Sequence, residues 1–297
     1  MIGSGTQVQS VSPLIRRRRL AGELRALREA AGVTAEELSK RAGKSRSMLS
    51  RFETGDRVPT VADVSRLLEA LGDMGVRVED GRWHELIQMA SDAGERGWWE
   101  AYGAAMGARQ RVYADLEFGA TTVREYQNYV IPGLLQTPGY TQARVELSQM
   151  QAMLPAGVSR SVEAKMMRQR MLLRPGGPSY DAVIDEVAIR RPAAAEDVMR
   201  EQLLHLADLA ERNDRMRVRI LLQGAQLRDY WLPRSPFSVY DYPGGDPQAV
   251  AVDTETVDLV YTGDEVRPYV ELWDRVWDAA LSAAESAAVL RTAVGEK

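Results

Sequence analysis

The chain predicts an all-α N-terminal domain followed by a mixed α/β (α+β) C-terminal domain, and three observations carry that expectation. Through residues 17–71, apolar side chains recur at three- and four-residue steps, the period of a helix face. From residue 121 onward, β-branched and tyrosine-rich runs alternate with helical patterns, the order of a layered helix-and-sheet domain. Charge divides the chain as well. Residues 1–77 hold 14 Lys and Arg against 9 Asp and Glu, a balance of +5, while residues 78–297 carry −9 within a total of −4. A basic head on an acidic body points to a polyanion partner for the head alone.

Residues 1–15 are expected to be a disordered N-terminus. Leu20, Leu24, Leu27 and Ala31 then share one face of a first helix, which Gly32 ends. Thr34 followed by Glu37 is a capping box for a short second helix over 35–42. Gly43 breaks it, and Ser45 caps a third helix, to about residue 54, that turns Leu49 and Phe52 inward. After Gly55, Pro59-Thr60 opens a fourth helix carrying Val64, Leu67, Leu68 and Leu71. Residues 16–78 thus read as one compact helix-turn-helix domain. Residues 79–97 read as a helical joint, within an interrupted helical stretch from Trp83 to Leu116. Residues 98–297 read as the α/β domain, with strands at 121–130, 183–189 and 218–222 and a meander at 237–242, 249–254 and 257–261. Helices are expected at 138–152, 160–173, 194–212, 266–281 and 283–293.

The segment from Gly32 to Gly55 carries the chemistry. A helix-turn-helix needs a short first helix, a tight turn, and a second helix apolar behind and polar in front. Leu38 and Ala42 hold the first helix, Gly43 supplies the turn, and Leu49 and Phe52 anchor the second. The outer face then presents Arg46, Ser47, Ser50 and Arg51, side chains suited to base edges. Ser45, at the helix N-terminus, is placed to bond a phosphate. The chain has 34 Arg and 4 Lys, so an arginine by itself says little. The Arg16–Arg19 run reads either as a phosphate-gripping arm or as a solvated face.

This stretch, LRALREAAGVTAEELSKRAGKSRSMLSRFETGDRVPTVADVSRLLEALG, resembles the Xre-type helix-turn-helix of the phage-repressor and Cro superfamily over about 50 residues. The resemblance implies double-stranded operator DNA as partner, base reading by Arg46, Ser47, Ser50 and Arg51, and phosphate contact by Ser45; Lys44, Arg57 and Arg17 join the expected phosphate contacts. It also implies a structural pair between Arg28 and Glu53. Ala35 departs from the glutamine that often opens the second helix, which removes one backbone contact.

From about Trp98, the chain resembles the large C-terminal domain of unknown function of many actinobacterial Xre-type regulators. The matching segments are LEFGATTVREYQNYVIPGLLQTPGYTQARVE, VDTETVDLVYTGDEVRPY and ALSAAES. That resemblance implies a regulator encoded beside a small partner protein. Read from its residues, 132–137 is an elbow between strand and helix or a binding loop. Adjacent Trp98 and Trp99 cannot share one core direction, which places at least one at an interface. Tyr230-Trp231 either line a small-molecule pocket or cap a core.

Catalytic constellations are sparse. Cysteine is absent and only His84 and His205 are present, both in helical patterns, which leaves little for a catalytic triad or a metal site. Phosphate-loop, dinucleotide and HExxH motifs are missing. Asp181, Asp185 and Glu186 form a small acidic group that reads as a solvated strand edge. No apolar run approaches the roughly 20 residues of a membrane span, and MIGSGTQVQS lacks a signal-peptide pattern. The expectation is a cytoplasmic, non-enzymatic, sequence-specific transcriptional regulator. It would act as a homodimer, without metal or cofactor, and its second domain would take a ligand or protein signal. An antitoxin-like protein that sequesters a small partner is the alternative, and an enzyme with a DNA-targeting head the next.

Overall fold

A computed structural model of the chain describes residues 12–150, 157–212, 215–254 and 258–295. It divides into two units between Trp98 and Trp99. The first is helical: α1 (Pro13–Ala30), α2 (Ala35–Arg41), α3 (Arg46–Glu53), α4 (Val61–Asp73) and α5 (Asp80–Ala93). Such short helices are marginal alone, and each of the first four begins with a side-chain cap. Ser12 accepts from Ile15 N, Ser45 accepts from Met48 N, and Thr34 with Glu37 and Thr60 with Asp63 form full capping boxes. Caps of this kind contribute about 1 kcal/mol each.

Two boundaries differ from the sequence expectation. α1 begins at Pro13 rather than near residue 17, because Ser12 caps it, proline suits the first helical position, and Ile15 is fully buried. Residues 12–15 are therefore ordered helix and cap; residues 1–11 lie outside the described residues. The stretch taken as a joint is α5, a packed helix of the first unit. Leu86, Met89 and Ala90 join Leu20, Leu24, Leu49, Phe52, Leu67 and Leu71 in one core. Their spacing is that of one helix face, but the glycine-rich lead into α5 reads like a linker. Arginines of the 16–19 run reinforce this packing: Arg19 pairs with Glu85 at 2.7 Å and Arg16 with Asp92 at 3.8 Å, both acids on α5.

The second unit opens with 3-10 turns over Trp98–Ala105, broken at Gly103 where φ is 50°, so the expected long helix is interrupted there. It continues with α6 (Gly107–Gly119), β1 (Thr122–Gln127), α7 (Pro138–Met150), α8 (Val158–Leu173), β2 (Ser179–Asp185), α9 (Glu186–Arg190), α10 (Glu196–Arg212) and β3 (Met216–Leu221). β4 (Phe237–Asp241), β5 (Ala249–Val252), β6 (Leu259–Thr262), α11 (Arg267–Ala279) and α12 (Ala283–Gly295) complete it. The expected strand at 183–189 is instead the end of β2 followed by α9. Asp185 stops the strand, because its carboxylate accepts the Val187 N–H at 3.0 Å and caps the helix.

The described strands form one six-stranded mixed sheet in the order β3-β2-β1-β4-β5-β6. β1, β2 and β3 run parallel, with helices in each crossover, and β4 to β6 form the antiparallel meander. Alternation sorts the side chains. Tyr126, Val183, Phe237, Val239, Val250 and Val252 pack with Leu272, Trp273 and Val276 of α11. Their neighbours in β1, Glu125 and Gln127, point to the other face.

That second face buries a polar network. Arg168 of α8 grips both carboxylate oxygens of Glu117 on α6. Tyr180 donates to Glu125 Oε2 at 2.6 Å, and Gln127 Nε2 bridges Glu125 Oε1 and Asp253 Oδ2 at 3.0 Å each. Tyr113 donates to the other Asp253 oxygen. Burial pushes the Glu125 carboxyl up to about 7, against 4.5 in the ordinary case, more than its hydrogen bonds from Tyr180 and Gln127 pull it down. A carboxyl that holds its proton more tightly when folded stabilises the fold at low pH and loses that contribution as pH rises through its folded value. Glu125→Gln, which keeps an acceptor for Tyr180, should therefore be more stable than the parent above about pH 7, with the difference fading toward about pH 5. Urea unfolding followed by circular dichroism across that range checks it; a pH-independent difference would show that ionisation of Glu125 is not the cause.

Candidate nucleic-acid interface

α3 is an eight-residue helix with two unlike faces. Leu49 and Phe52 are 0% and 1% exposed and seat it in the core, while Arg46, Ser47, Ser50 and Arg51 are all exposed. At 3.6 residues per turn these four positions lie on one side, so the pattern that buries two apolar residues presents the polar quartet together. Ser45 is exposed at the N-terminus, where its hydroxyl accepts from Met48 N at 3.2 Å and approaches Ser47 Oγ at 3.2 Å. The turn into α3 depends on Gly43, whose φ of 65° is a conformation other side chains resist.

Two ion pairs hold this frame. Arg28 on α1 donates to both oxygens of Glu53 at the end of α3, at 2.7 and 2.8 Å, and to the Val33 carbonyl at 3.1 Å. Hydrogen bonding to Glu53 raises the Arg28 pKa above its ordinary value, so the guanidinium keeps its charge. The pairing the sequence suggests is therefore present as a bidentate clamp. Lys44 differs from its expected phosphate role. Its ammonium is half-buried and bound to Asp63, whose carboxylate also caps α4. Burial pushes Asp63 up, but its bonds to Lys44 and Thr60 outweigh that and leave its pKa lowered. Thr60 followed by Asp63 is itself a capping pattern, and this is the signal by which the sequence marks Asp63 as occupied.

Arg57 is exposed just beyond α3. Arg17 is half-buried on α1, and its Nε is shielded from solvent without a hydrogen-bond partner among the described residues. Arg46, Arg51 and Arg57 likewise have no carboxylate partner there, whereas Arg16, Arg19, Arg28, Arg41 and Arg82 of the same unit are paired with acids.

The remaining candidates lie elsewhere. Trp99 is buried, 4% exposed, and edge-on to Phe118 of the second unit at 5.6 Å; Trp98 is half-buried. Tyr230 and Trp231 are 78% and 41% exposed, which rules out a capped core. Arg275 of α11 stacks over Trp231 at 4.7 Å, and the preceding Asp229 and Tyr230 hold positive φ values of 60° and 54°. Residues 132–137 form a self-satisfied elbow. Gln136 donates to Ile131 O, Gln202 donates to Leu135 O, and Thr137 N donates to Gln202 Oε1. The acidic group disperses too: Asp181 is buried and gripped by Arg217 of β3, Asp185 caps α9, and Glu186 pairs with Arg190. His84 and His205 are exposed on α5 and α10. Among the described residues, no group of three or more His, Asp or Glu could hold a metal, and no helix is long and apolar enough to cross a membrane.

The clamp makes a measurable claim. Glu53→Ala leaves the Arg28 guanidinium with only the Val33 carbonyl and the more distant Glu29 carboxylate at 3.5 Å, and should cost about 1–3 kcal/mol of stability in urea unfolding of the full chain. The double change Arg28→Met with Glu53→Leu should cost less than the sum of the single changes, and strict additivity would show that the two side chains do not act as a pair.

Comparison with known families agrees with this architecture. Residues 19–80 match a helix-turn-helix domain, and residues 110–292 match a domain of unknown function, DUF5753. No curated protein and no solved structure matches the chain. The DUF5753 match spans more than half of the residues, and the chain therefore belongs to the family of proteins that carry this domain, here behind a helix-turn-helix.

Proposed function

We propose that this protein is a sequence-specific transcriptional regulator that binds double-stranded operator DNA through α3. One observation carries the reading. Arg46 and Arg51 stand exposed, without an acid partner among the described residues, beside Ser47 and Ser50 on the outer face of one capped helix whose other face is buried, a clustering that the exposed Arg66, Arg77 and Arg96 of the same unit lack. Arg46 and Arg51 would reach guanine edges in the major groove, where a guanidinium can bond O6 and N7 together. Ser47 and Ser50 would read beside them, and Ser45, Arg57 and Arg17 would hold phosphates. Lys44 would act indirectly, by fixing α4 against the turn.

A helix of this length reads only a few base pairs, so the active species is a homodimer on two half-sites. The second unit, which is net negative, would stay off the DNA and receive the signal, either a small molecule or a small protein partner. No reaction is assigned to it.

Binding measurements test this on a site selected from a random duplex pool. Arg46→Ala and Arg51→Ala should each cost about 1–3 kcal/mol at that site and much less on random duplex. Affinity should also fall steeply with salt, because phosphate contacts release counterions. Equal losses on selected and random DNA would overturn base reading by these residues.

A further inference from the structure

The parallel half of the sheet delivers three strand ends to one place. β1 ends at Gln127, β2 at Asp185 and β3 at Leu221, and the segments leaving them enclose a cavity of about 200 Å³. Open α/β sheets commonly bind ligands just outside the carboxyl ends of their strands. Most of this wall is apolar, with Leu221, Leu227, Leu232 and Pro233 among its members.

The polar groups on the wall are unevenly satisfied. Asp185 Oδ1 accepts from Val187 N, but among the described residues Oδ2 is met only by the Tyr126 hydroxyl at 3.4 Å, long for such a bond. Asn128 also lines the cavity, but its Oδ1 is shielded from solvent and is not presented to it. A carboxylate oxygen met by one long bond keeps the capacity to accept a charged donor. The residues lining the cavity include a carboxylate and no Lys, Arg or His. Its mouth is fixed from outside. The loop that delivers Leu232 and Pro233 is braced by Arg275, which pairs with Asp229 at 3.6 Å and stacks on Trp231, while Arg191 stacks on Tyr129 at 5.4 Å.

We propose that this cavity binds a small molecule with a compact apolar or aromatic body and a protonated amine, the ammonium donating to the Asp185 carboxylate. An anion would meet Asp185 with no compensating cation on the wall, and a purely apolar molecule would desolvate the Asp185 carboxylate without supplying a donor. The proposal deepens the signal-input part of the regulator reading, yet its test involves no DNA, so either can fail alone.

The full-length chain is titrated with phenethylammonium, phenethyl alcohol and 3-phenylpropionate while the backbone amide resonances of Asn128, Val187, Gln223 and Leu232 are followed by NMR. Phenethylammonium should shift these resonances, the alcohol should bind at least ~10-fold more weakly, and the carboxylate should not bind, because hydrogen bonds between charged groups are the strong ones. Asp185→Asn keeps a side chain that caps helices as well as aspartate does, and should weaken the ammonium by ~10-fold or more while sparing the alcohol. Ala225→Phe, which fills the cavity from its wall, should abolish both, with circular dichroism reporting that the fold is retained. No shift with phenethylammonium, shifts that map elsewhere, carboxylate binding as tight as the amine, or an unchanged Asp185→Asn would each overturn the proposal.

Discussion

Arg28 reaches from α1 to hold both carboxylate oxygens of Glu53, and the orientation of α3 depends on that grip. An eight-residue helix lacks the length to persist in water. Ser45 begins it, Leu49 and Phe52 bury one face, and the ion pair anchors its end to a different helix. With one face buried and the end clamped, the positions of Arg46, Ser47, Ser50 and Arg51 follow without further choice. The same logic runs through the unit. Lys44 joins the turn to α4 through Asp63, and Arg16, Arg19 and Arg82 tie α1 to α5 or α5 to α1. In an arginine-rich chain, what a guanidinium does is decided by whether a carboxylate lies within reach.

The second unit applies ion pairing in a drier setting. Arg168 and Glu117 are 6% exposed each and satisfy one another where a lone buried charge would be costly. Burial pushes both carboxyls up; Arg168 opposes the shift at Glu117, whereas Glu125, close by, has hydrogen-bond partners but no cation bound to it. Two carboxylates on one face of one sheet thus meet burial in different ways. Perturbed groups of this kind often gather at functional sites. Here they lie under the helices, each held by its own partners, whereas the cavity at the strand ends is bordered by an Asp185 oxygen that one long hydrogen bond meets among the described residues.

Most of the first unit was legible in the sequence because its signals are local. Thr34 and Glu37 mark a helix start, Gly43 a turn, and Leu49 and Phe52 an inward face, all within a few residues of where they act. α5 was misread because its burial depends on α1, far away in the chain, and the glycines before it mimic a linker. β2 and α9 were merged into one strand because apolar residues continue across the boundary; a single carboxylate, Asp185, turns the backbone there. Lys44 looked like a free cation because Asp63 is its neighbour only after α4 folds back.

By itself, the sequence determined the helical head, the mixed second domain and the polar outer face of α3, while the Arg28–Glu53 pair came from the family resemblance. Caps, periodicity and turn residues act over short range and leave their mark in order. Tertiary structure alone decided which arginines are spent on carboxylates and which remain exposed, that Trp99 is buried while Tyr230 is exposed, and that Asn128, Asp185 and Leu232 border one cavity. Those outcomes join residues separated by tens of positions, and the pairing of strand ends that creates them has no local signature.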